Sequence, residues 1–178
     1  MPKSSKVLLG IVLLFLISGC GSNALLQKVT PVNTSLSKYK YAIISVEGKN
    51  ELIKKEKGFG ITQKELKNNF ISNLSEQNKF KHVSGESSGN HEKETLFIKL
   101  VIEELSYLSG ASSYFFGIFS GNASLKVLAR LIDVKTNKTI GEIRSFSKTS
   151  LSGGIFRGGT ATLIREISEK LVEDITNY

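Results

Sequence analysis

The sequence predicts an α+β fold, with a mostly antiparallel sheet and two helices packed on one face. Two segments, one near the middle and one at the C-terminus, carry apolar residues at helical spacing. The second half of the chain contains strand-like segments joined by a short turn, as in a hairpin. Strands and helices do not alternate regularly, so the pattern argues against a parallel α/β sheet.

The first twenty residues have the layout of an export signal. Lys3 and Lys6 precede an apolar run of eleven residues, Val7–Ile17. This run is too short for a membrane-spanning helix, which needs about 20 residues. The following ISGC, which ends at Cys20, resembles a bacterial lipobox, and the resemblance implies acylation of the Cys20 thiol and cleavage before it. The alternatives are an ordinary export signal with an incidental cysteine, or a short anchor.

Cys20 is the only cysteine, so the exported chain has no disulfide to form. Two acyl chains, of the palmitate type, would give stable attachment to a membrane. Gly21 follows the cysteine where an aspartate would signal retention, which resembles sorting to the outer membrane in enteric-type Gram-negative cells. We therefore expect a periplasm-facing protein on the outer membrane, or alternatively one on the outer face of the cytoplasmic membrane.

Three regions are predicted: a signal peptide at 1–19, a lipidated cysteine with a flexible tether at 20–37, and a single α+β domain at 38–178. The tether assignment rests on the Ser, Asn and Thr content of this stretch and on Pro31.

The first half of the domain predicts a strand at Tyr39–Val46, followed by a lysine-rich loop over 51–60. A capping-box pattern, TQKE, begins a predicted helix at Thr62–Gln77. Lys81–Ser84 is predicted as a short strand, and 84–93 as a polar surface loop.

The second half predicts a strand at Thr95–Leu105 and a hairpin formed by Asn122–Val134 and Thr139–Thr149. Asn137 lies in the hairpin turn and suits a positive φ. An amphipathic helix closes the chain, with these apolar residues on one stripe: Leu163, Ile164, Ile167, Leu171, Val172 and Ile175.

The chain is basic, with a formal charge of +8 that falls to +6 once residues 1–19 and their two lysines are removed. Ten lysines and only five glutamates lie between Lys38 and Lys81. This excess suits contact with anionic lipid, lipopolysaccharide or cell-wall polymer, although solvated lysines that keep the domain soluble are an equal explanation. Nucleic acid is excluded as a partner by the export signal.

The stretch from Asn122 onward resembles an uncharacterised family of small bacterial lipoproteins that carry a domain of unknown function. The matching features are a glycine-containing segment, Gly117–Gly121, that precedes the strand, the sequence ASLKVLARLIDVKTNKTIGEI, the glycine-rich GGIFRGG and the C-terminal helix. The hairpin phrase DVKTNK is distantly similar to turns in the TolB N-terminal domain, the curli-secretion lipoprotein and the lipoprotein activators of peptidoglycan synthases. The resemblance implies a fold and a compartment, but no activity.

The segment GGIFRGGT, at 153–160, differs from a nucleotide-binding P-loop by having Gly159 in place of the lysine. The strand before it is predicted to be antiparallel, whereas a P-loop follows a parallel strand. We therefore expect a structural turn and no nucleotide. Helix N-termini bind anions, so Arg157 and Thr160 are kept as an anion contact, with Thr160 also helping to cap the helix.

Catalytic and metal-binding patterns are missing from the sequence. His82 and His91 do not have metal-ligand spacing, and no nucleophile elbow occurs. Asp133 begins a turn, where aspartate usually accepts hydrogen bonds from backbone amides. We expect no enzymatic activity, no metal and no cofactor.

An aromatic segment is the remaining candidate site, because it concentrates apolar surface in a glycine- and serine-rich connection. Its predicted contact residues are Tyr114, Phe115, Phe116 and Phe119, and the lysine-rich loop Lys49–Lys57 is predicted as a second contact surface. The alternative is a bulged strand start tucked under the sheet. Together these features predict a non-catalytic envelope lipoprotein that binds through protein or envelope contacts. The alternative is a structural subunit of a larger envelope or secretion assembly.

Overall fold

The computed structural model describes residues 24–85, 94–106, 123–148 and 159–178. These residues form six strands, three helices and a short 3₁₀ turn at Leu36–Lys38. In chain order the elements are β1 (Leu25–Thr30), β2 (Tyr41–Gly48), α1 (Glu51–Lys55), α2 (Phe59–Glu76), β3 (His82–Ser84), β4 (Thr95–Ser106), β5 (Ser124–Asp133), β6 (Lys138–Lys148) and α3 (Thr160–Thr176).

The six strands form one sheet in the order β1-β6-β5-β4-β2-β3. The pairs β1–β6, β6–β5 and β5–β4 are antiparallel, and β2 runs parallel to both β4 and β3. The predicted α+β fold with a mostly antiparallel sheet is therefore confirmed. The β2–β3 pair is parallel because α1 and α2 return the chain to the end of the sheet where β2 begins before β3 starts.

The helices α2 and α3 pack on each other and on the same face of the sheet. The α2 stripe contributes Leu66, Phe70 and Leu74, and α3 contributes residues such as Leu163 and Ile167, all at most 2% exposed. Alternate residues of β4 and β5 meet these helices, because successive strand side chains point to opposite faces. Both predicted apolar stripes are thus buried in one core.

The predicted flexible tether contains a strand. Leu25–Thr30 pairs with β6 at the edge of the sheet, from Leu25 opposite Phe146 to Thr30 opposite Glu142. Most residues of this strand are exposed, so the segment lacks the alternation of apolar and polar residues that marks a half-buried strand. Its composition therefore favoured a loop.

The loop predicted over 51–60 is also wrong, because it contains α1 and the start of α2. The Asn50 side chain accepts a hydrogen bond from the Ile53 amide at 3.0 Å and so caps α1.

The predicted capping box at Thr62 is wrong. Gly58 adopts a left-handed conformation with φ of 79°, which lets α2 begin at Phe59. Thr62 therefore lies inside the helix, and its amide donates to the Gly58 carbonyl at 2.9 Å. Its hydroxyl is buried and has no hydrogen-bond partner in the part of the chain that the structure describes.

The other predicted strands are found within two residues of their bounds, while the polar loop predicted at 84–93 lies mostly outside the described residues. The short strand β3, the long strand β4 and the β5–β6 hairpin are all present. Asn137 in the hairpin turn has φ of 53°, as predicted. No helix within the described ranges is both long enough and apolar enough to cross a membrane.

Candidate functional site

The chain enters the sheet at one end, called here the proximal end. Leu25 pairs with Phe146 near the end of β6, so β1 begins where β6 finishes. Ser106 at the end of β4 pairs with Ser124, which in turn pairs with Lys148. Since β2 is parallel to β4, it also ends there. The connections after β2, β4 and β6 therefore all leave from the proximal end.

Both long helices begin at the proximal end. A Cβ built on Gly48, the last residue of β2, would lie 3.1 Å from the Phe59 ring at the start of α2. The Ser147 hydroxyl, near the end of β6, donates to Glu166 of α3 at 2.8 Å. The two helix dipoles therefore direct their positive ends toward this side of the domain.

Three of the four large hydrophobic side chains exposed in the described ranges lie at the proximal end. Leu25 is 68% exposed at the start of β1, Leu52 is 75% exposed on α1, and Ile61 is 52% exposed in the first turn of α2. The fourth, Val29, lies farther along β1. Single exposed apolar residues are normal on proteins, but their concentration at one end indicates a contact surface.

Lysines surround two of these hydrophobic residues. The segment from Lys49 to Lys57 contains four lysines and two glutamates. Lys54 is paired with Glu51 at 2.7 Å, and this carboxylate raises the pKa of the lysine. Within the described residues, no carboxylate lies in ion-pair range of the other three lysines. The term basic corner denotes the following exposed residues: Lys49, Leu52, Lys55, Lys57 and Ile61.

The basic corner is held in place by packing under α1 and α2. Ile53 and Phe59 pack against the core from the inner sides of these helices. The Gln63 side chain donates to the Val46 carbonyl at 2.7 Å and so ties α2 to β2. Leu52 and Ile61 are consequently presented to solvent by a fixed scaffold.

The face of the sheet that lies away from the helices is covered by paired charges. Arg144 donates to both oxygens of Glu103, at 2.6 and 3.1 Å, and Arg130 donates to Glu142 at 2.6 Å. The bond to Arg144 lowers the pKa of Glu103. Further pairs join β2 to β4 and β4 to β5. Because these groups satisfy one another, this face is a weaker candidate for binding than the basic corner.

At the opposite, distal end of the sheet, Asp133 has the structural role that the sequence predicted. Its carboxylate accepts from the Tyr39 hydroxyl at 2.7 Å, the Thr136 amide at 3.0 Å and the Lys38 ammonium at 3.1 Å. Led by the Tyr39 bond, these donors hold the pKa of Asp133 well below its usual range despite burial. The group fixes the hairpin turn and is enclosed by its own donors.

The glycine segment follows an antiparallel strand, as predicted, because β6 is antiparallel to both of its neighbours. Gly159 occupies the N-cap of α3, so Thr160 does not hold the capping position that the sequence predicted for it. Thr160 is the first helical residue and is 2% exposed. Arg157, which was predicted to bind an anion together with Thr160, lies outside the described residues, as does most of the glycine segment.

The predicted lipidation site, Cys20, also lies outside the described residues, together with the predicted contact residues Tyr114, Phe115, Phe116 and Phe119. The aromatic segment nevertheless joins Ser106 to Ala123, and both of these lie at the proximal end. His82 is exposed on β3, and the described residues contain no cluster of three or more potential metal ligands.

The predicted contact surface Lys49–Lys57 contains Leu52, but the sequence indicated its lysines and neither the exposed Leu52 nor Ile61. One available signal was that Ile61 falls outside the apolar stripe of Leu66 and Phe70. The other was the pattern ELIKK, in which only one of two adjacent apolar residues can face the core of a short helix.

Comparison with known proteins places the domain in a family. A family model described as a domain of unknown function, DUF4410, matches residues 34–154. No curated protein matches the sequence. The family match covers the sheet from β2 to β6, while β1 and α3 lie outside it.

Several solved structures are similar to this chain. One is the dodecamer of a PelC point variant from Paraburkholderia phytofirmans, which is 12% identical, with a TM-score of 0.56 over 85% of this chain and 96% of that one. A second PelC dodecamer from the same organism is 11% identical, with a TM-score of 0.53 over the same shares. A candidate lipoprotein from Caulobacter crescentus is 12% identical, with a TM-score of 0.40 over 80% of this chain and 90% of that one.

The first two similarities support the fold alone at these identities. The match to the family model covers more than half of the chain, in agreement with the resemblance seen in the sequence. The chain belongs to the DUF4410 family of domains of unknown function.

Proposed function

We propose that this protein is an envelope lipoprotein, acylated on Cys20 and held on the periplasmic face of the outer membrane, where it binds a protein or envelope partner without catalysis. The observation that carries the proposal is the concentration of exposed apolar residues at the proximal end, next to the N-terminal attachment. Exposed apolar residues that are concentrated in one region of a protein surface usually mark an interaction site.

Two further features support a binding role. The described polar groups of the sheet, such as Glu103 with Arg144 and Asp133 with Tyr39, are engaged with one another. The basic corner lies at the proximal end, and the aromatic segment joins the sheet at the same end through Ser106 and Ala123. The outer face of the cytoplasmic membrane is the alternative location.

Crosslinking in cells tests this function. The full lipidated chain would be compared with a Leu52→Asp/Ile61→Asp variant, which changes two exposed residues and leaves the core intact. We expect a specific envelope component (a protein, a cell-wall polymer or a membrane lipid) to be crosslinked to the natural chain and to be lost or greatly reduced with the variant. Recovery of the same products with both chains, or of none with either, would contradict the proposal.

A second candidate function is that of a structural subunit in a larger assembly. The observation that favours it is the shared fold with PelC, whose solved structures are described as dodecamers. Analytical ultracentrifugation of the Cys20→Ser chain tests it. A ring subunit sediments as a closed oligomer at micromolar concentration, whereas a monomer under these conditions would count against self-assembly.

A further inference from the structure

We propose that the basic corner docks on an anionic phospholipid surface, with Leu52 and Ile61 entering the headgroup layer and the lysines contacting phosphates. The proposal rests on the lipid anchoring proposed above, because the anchor brings the proximal end to the bilayer. It adds a second, non-covalent contact that sets the orientation of the domain.

The length of chain before β1 constrains this geometry. Four residues lie between Cys20 and Leu25, and the five residue-to-residue steps that join the two span at most roughly 17 Å when fully extended. The proximal end is therefore held within this distance of the lipid attachment. The distal end, which contains Asp133 and the β5–β6 turn, must lie farther away by the length of the strands.

The basic corner lies at the same end but at the other side of the sheet. β2 is four strands from β1 in the sheet order, a separation of about 19 Å at the usual strand spacing. An anchor beside β1 and a contact beside β2 give two separated points of attachment. Two such points restrict tilting of the domain on the bilayer, which a single flexible anchor does not.

The chemistry of the basic corner matches an interfacial contact. Leu52 and Ile61 can enter the apolar side of the headgroup layer, while lysine side chains extend to the phosphates. Each lysine close to an anionic membrane surface increases affinity by roughly fivefold. The positive ends of α2 and α3 add to the same field.

Charge also favours lipid over a second copy of the chain. In a symmetric contact, the basic corner of one copy would face that of the other, so that Lys55 and Lys57 would meet like charges. The distal end carries lysines too, including Lys135 and Lys138. No large hydrophobic side chain is exposed there within the described ranges. The combination of cations with exposed apolar residues therefore distinguishes the proximal end.

A tryptophan probe tests the docking directly, because the chain contains no tryptophan. Leu52→Trp would be made in the full lipidated chain, reconstituted in phosphatidylcholine vesicles with phosphatidylglycerol and brominated acyl chains. We expect a blue shift and strong quenching of the indole fluorescence. Ile61→Trp provides a second position, and Lys135→Trp, in the exposed distal turn, is the matched control that should remain unquenched.

The charge requirement is tested in the Leu52→Trp background. Lys55→Glu/Lys57→Glu should remove most of the quenching, and should do so as effectively as omitting phosphatidylglycerol. Lys135→Glu/Lys138→Glu changes the net charge equally at the distal end and should retain the quenching.

Docking and anchoring fail in distinguishable ways. An acylated chain whose tryptophans at positions 52 and 61 stay unquenched would overturn the docking alone. The docking would also be overturned if the blue shift grew with protein concentration in the absence of lipid, because the contact would then be with another copy. A chain recovered without acyl groups on Cys20 would overturn the anchoring and the docking together.

Discussion

The Tyr39 hydroxyl donates a hydrogen bond of 2.7 Å to the Asp133 carboxylate. The two residues are 94 positions apart, and they join the segment before β2 to the last residue of β5. Tyr39 is 2% exposed and Asp133 is 8% exposed, so water cannot readily replace either partner. This contact fastens the distal end of the sheet, far from the proposed membrane contact.

Tyr39→Phe should lower the free energy of unfolding by about 1–2 kcal/mol near neutral pH, because it removes a buried donor to a charged acceptor. Urea unfolding followed by circular dichroism measures this loss. An unchanged midpoint would show that the bond contributes nothing to stability.

The same pair should make stability depend on pH. The folded pKa of Asp133 is lowered, chiefly by the Tyr39 bond, so its contribution is complete above the unfolded value of about 3.9 and is lost as pH falls through the folded pKa. The difference in stability between Tyr39→Phe and the natural chain should shrink over this acidic range. A difference that stays constant from neutral to strongly acidic pH would contradict this linkage. Asp133→Asn, which lacks the titrating group, is the control.

Gly141→Ala should destabilise the domain by about 1–3 kcal/mol. A Cβ at this position would lie 2.6 Å from Val32 Cγ2 and 3.1 Å from Val32 Cα, so the backbone before the 3₁₀ turn would have to move. Gly60→Ala is a matched control, because its Cβ would meet nothing within 4 Å in the first turn of α2. We expect Gly60→Ala to leave stability unchanged or raise it by up to about 1 kcal/mol. Equal thermal unfolding midpoints for the two variants would contradict the predicted difference in stability between them.

Thr62→Val should leave the unfolding free energy unchanged or raise it by up to about 1 kcal/mol, because valine has nearly the same shape without the polar group. The Thr62 hydroxyl is fully buried and unpaired in the described structure. Chemical denaturation of both chains gives the comparison. A loss of about 1 kcal/mol would instead support the capping role that the sequence pattern suggested.

Gly159→Lys restores the P-loop pattern in the sequence and should still create no ATP binding. The strand before the glycine segment is antiparallel to both neighbours, whereas a nucleotide-binding loop follows a parallel strand. Isothermal titration with Mg²⁺ and ATP measures this. Micromolar ATP binding by the variant would show that the antiparallel direction of the preceding strand does not prevent nucleotide binding.

The sequence predicts the elements whose patterns are local and complete. The apolar stripe of α3, from Leu163 to Ile175, and the β5–β6 hairpin with its turn at Asn137 each carry their own signal in consecutive residues. The role of Asp133 in the turn is local too, since its partner Thr136 is three residues away. These predictions are confirmed.

The sequence misses features that depend on distant partners. The strand β1 exists because β6 supplies its hydrogen bonds, and the parallel pairing of β2 with β4 joins segments about fifty residues apart. The start of α2 depends on the left-handed conformation of Gly58, which the nearby TQKE pattern concealed. The basic corner likewise emerges only when the strand directions place Leu52, Ile61 and the start of β1 at one end.

Mass spectrometry of the N-terminal peptide from the membrane-bound protein determines where the mature chain begins and whether Cys20 is acylated. We expect a chain that begins at Cys20 and carries acyl groups on its thiol. Cys20→Ser should release the protein from the membrane fraction. A mature chain that begins elsewhere, or an unmodified Cys20 on membrane-bound protein, would contradict this expectation.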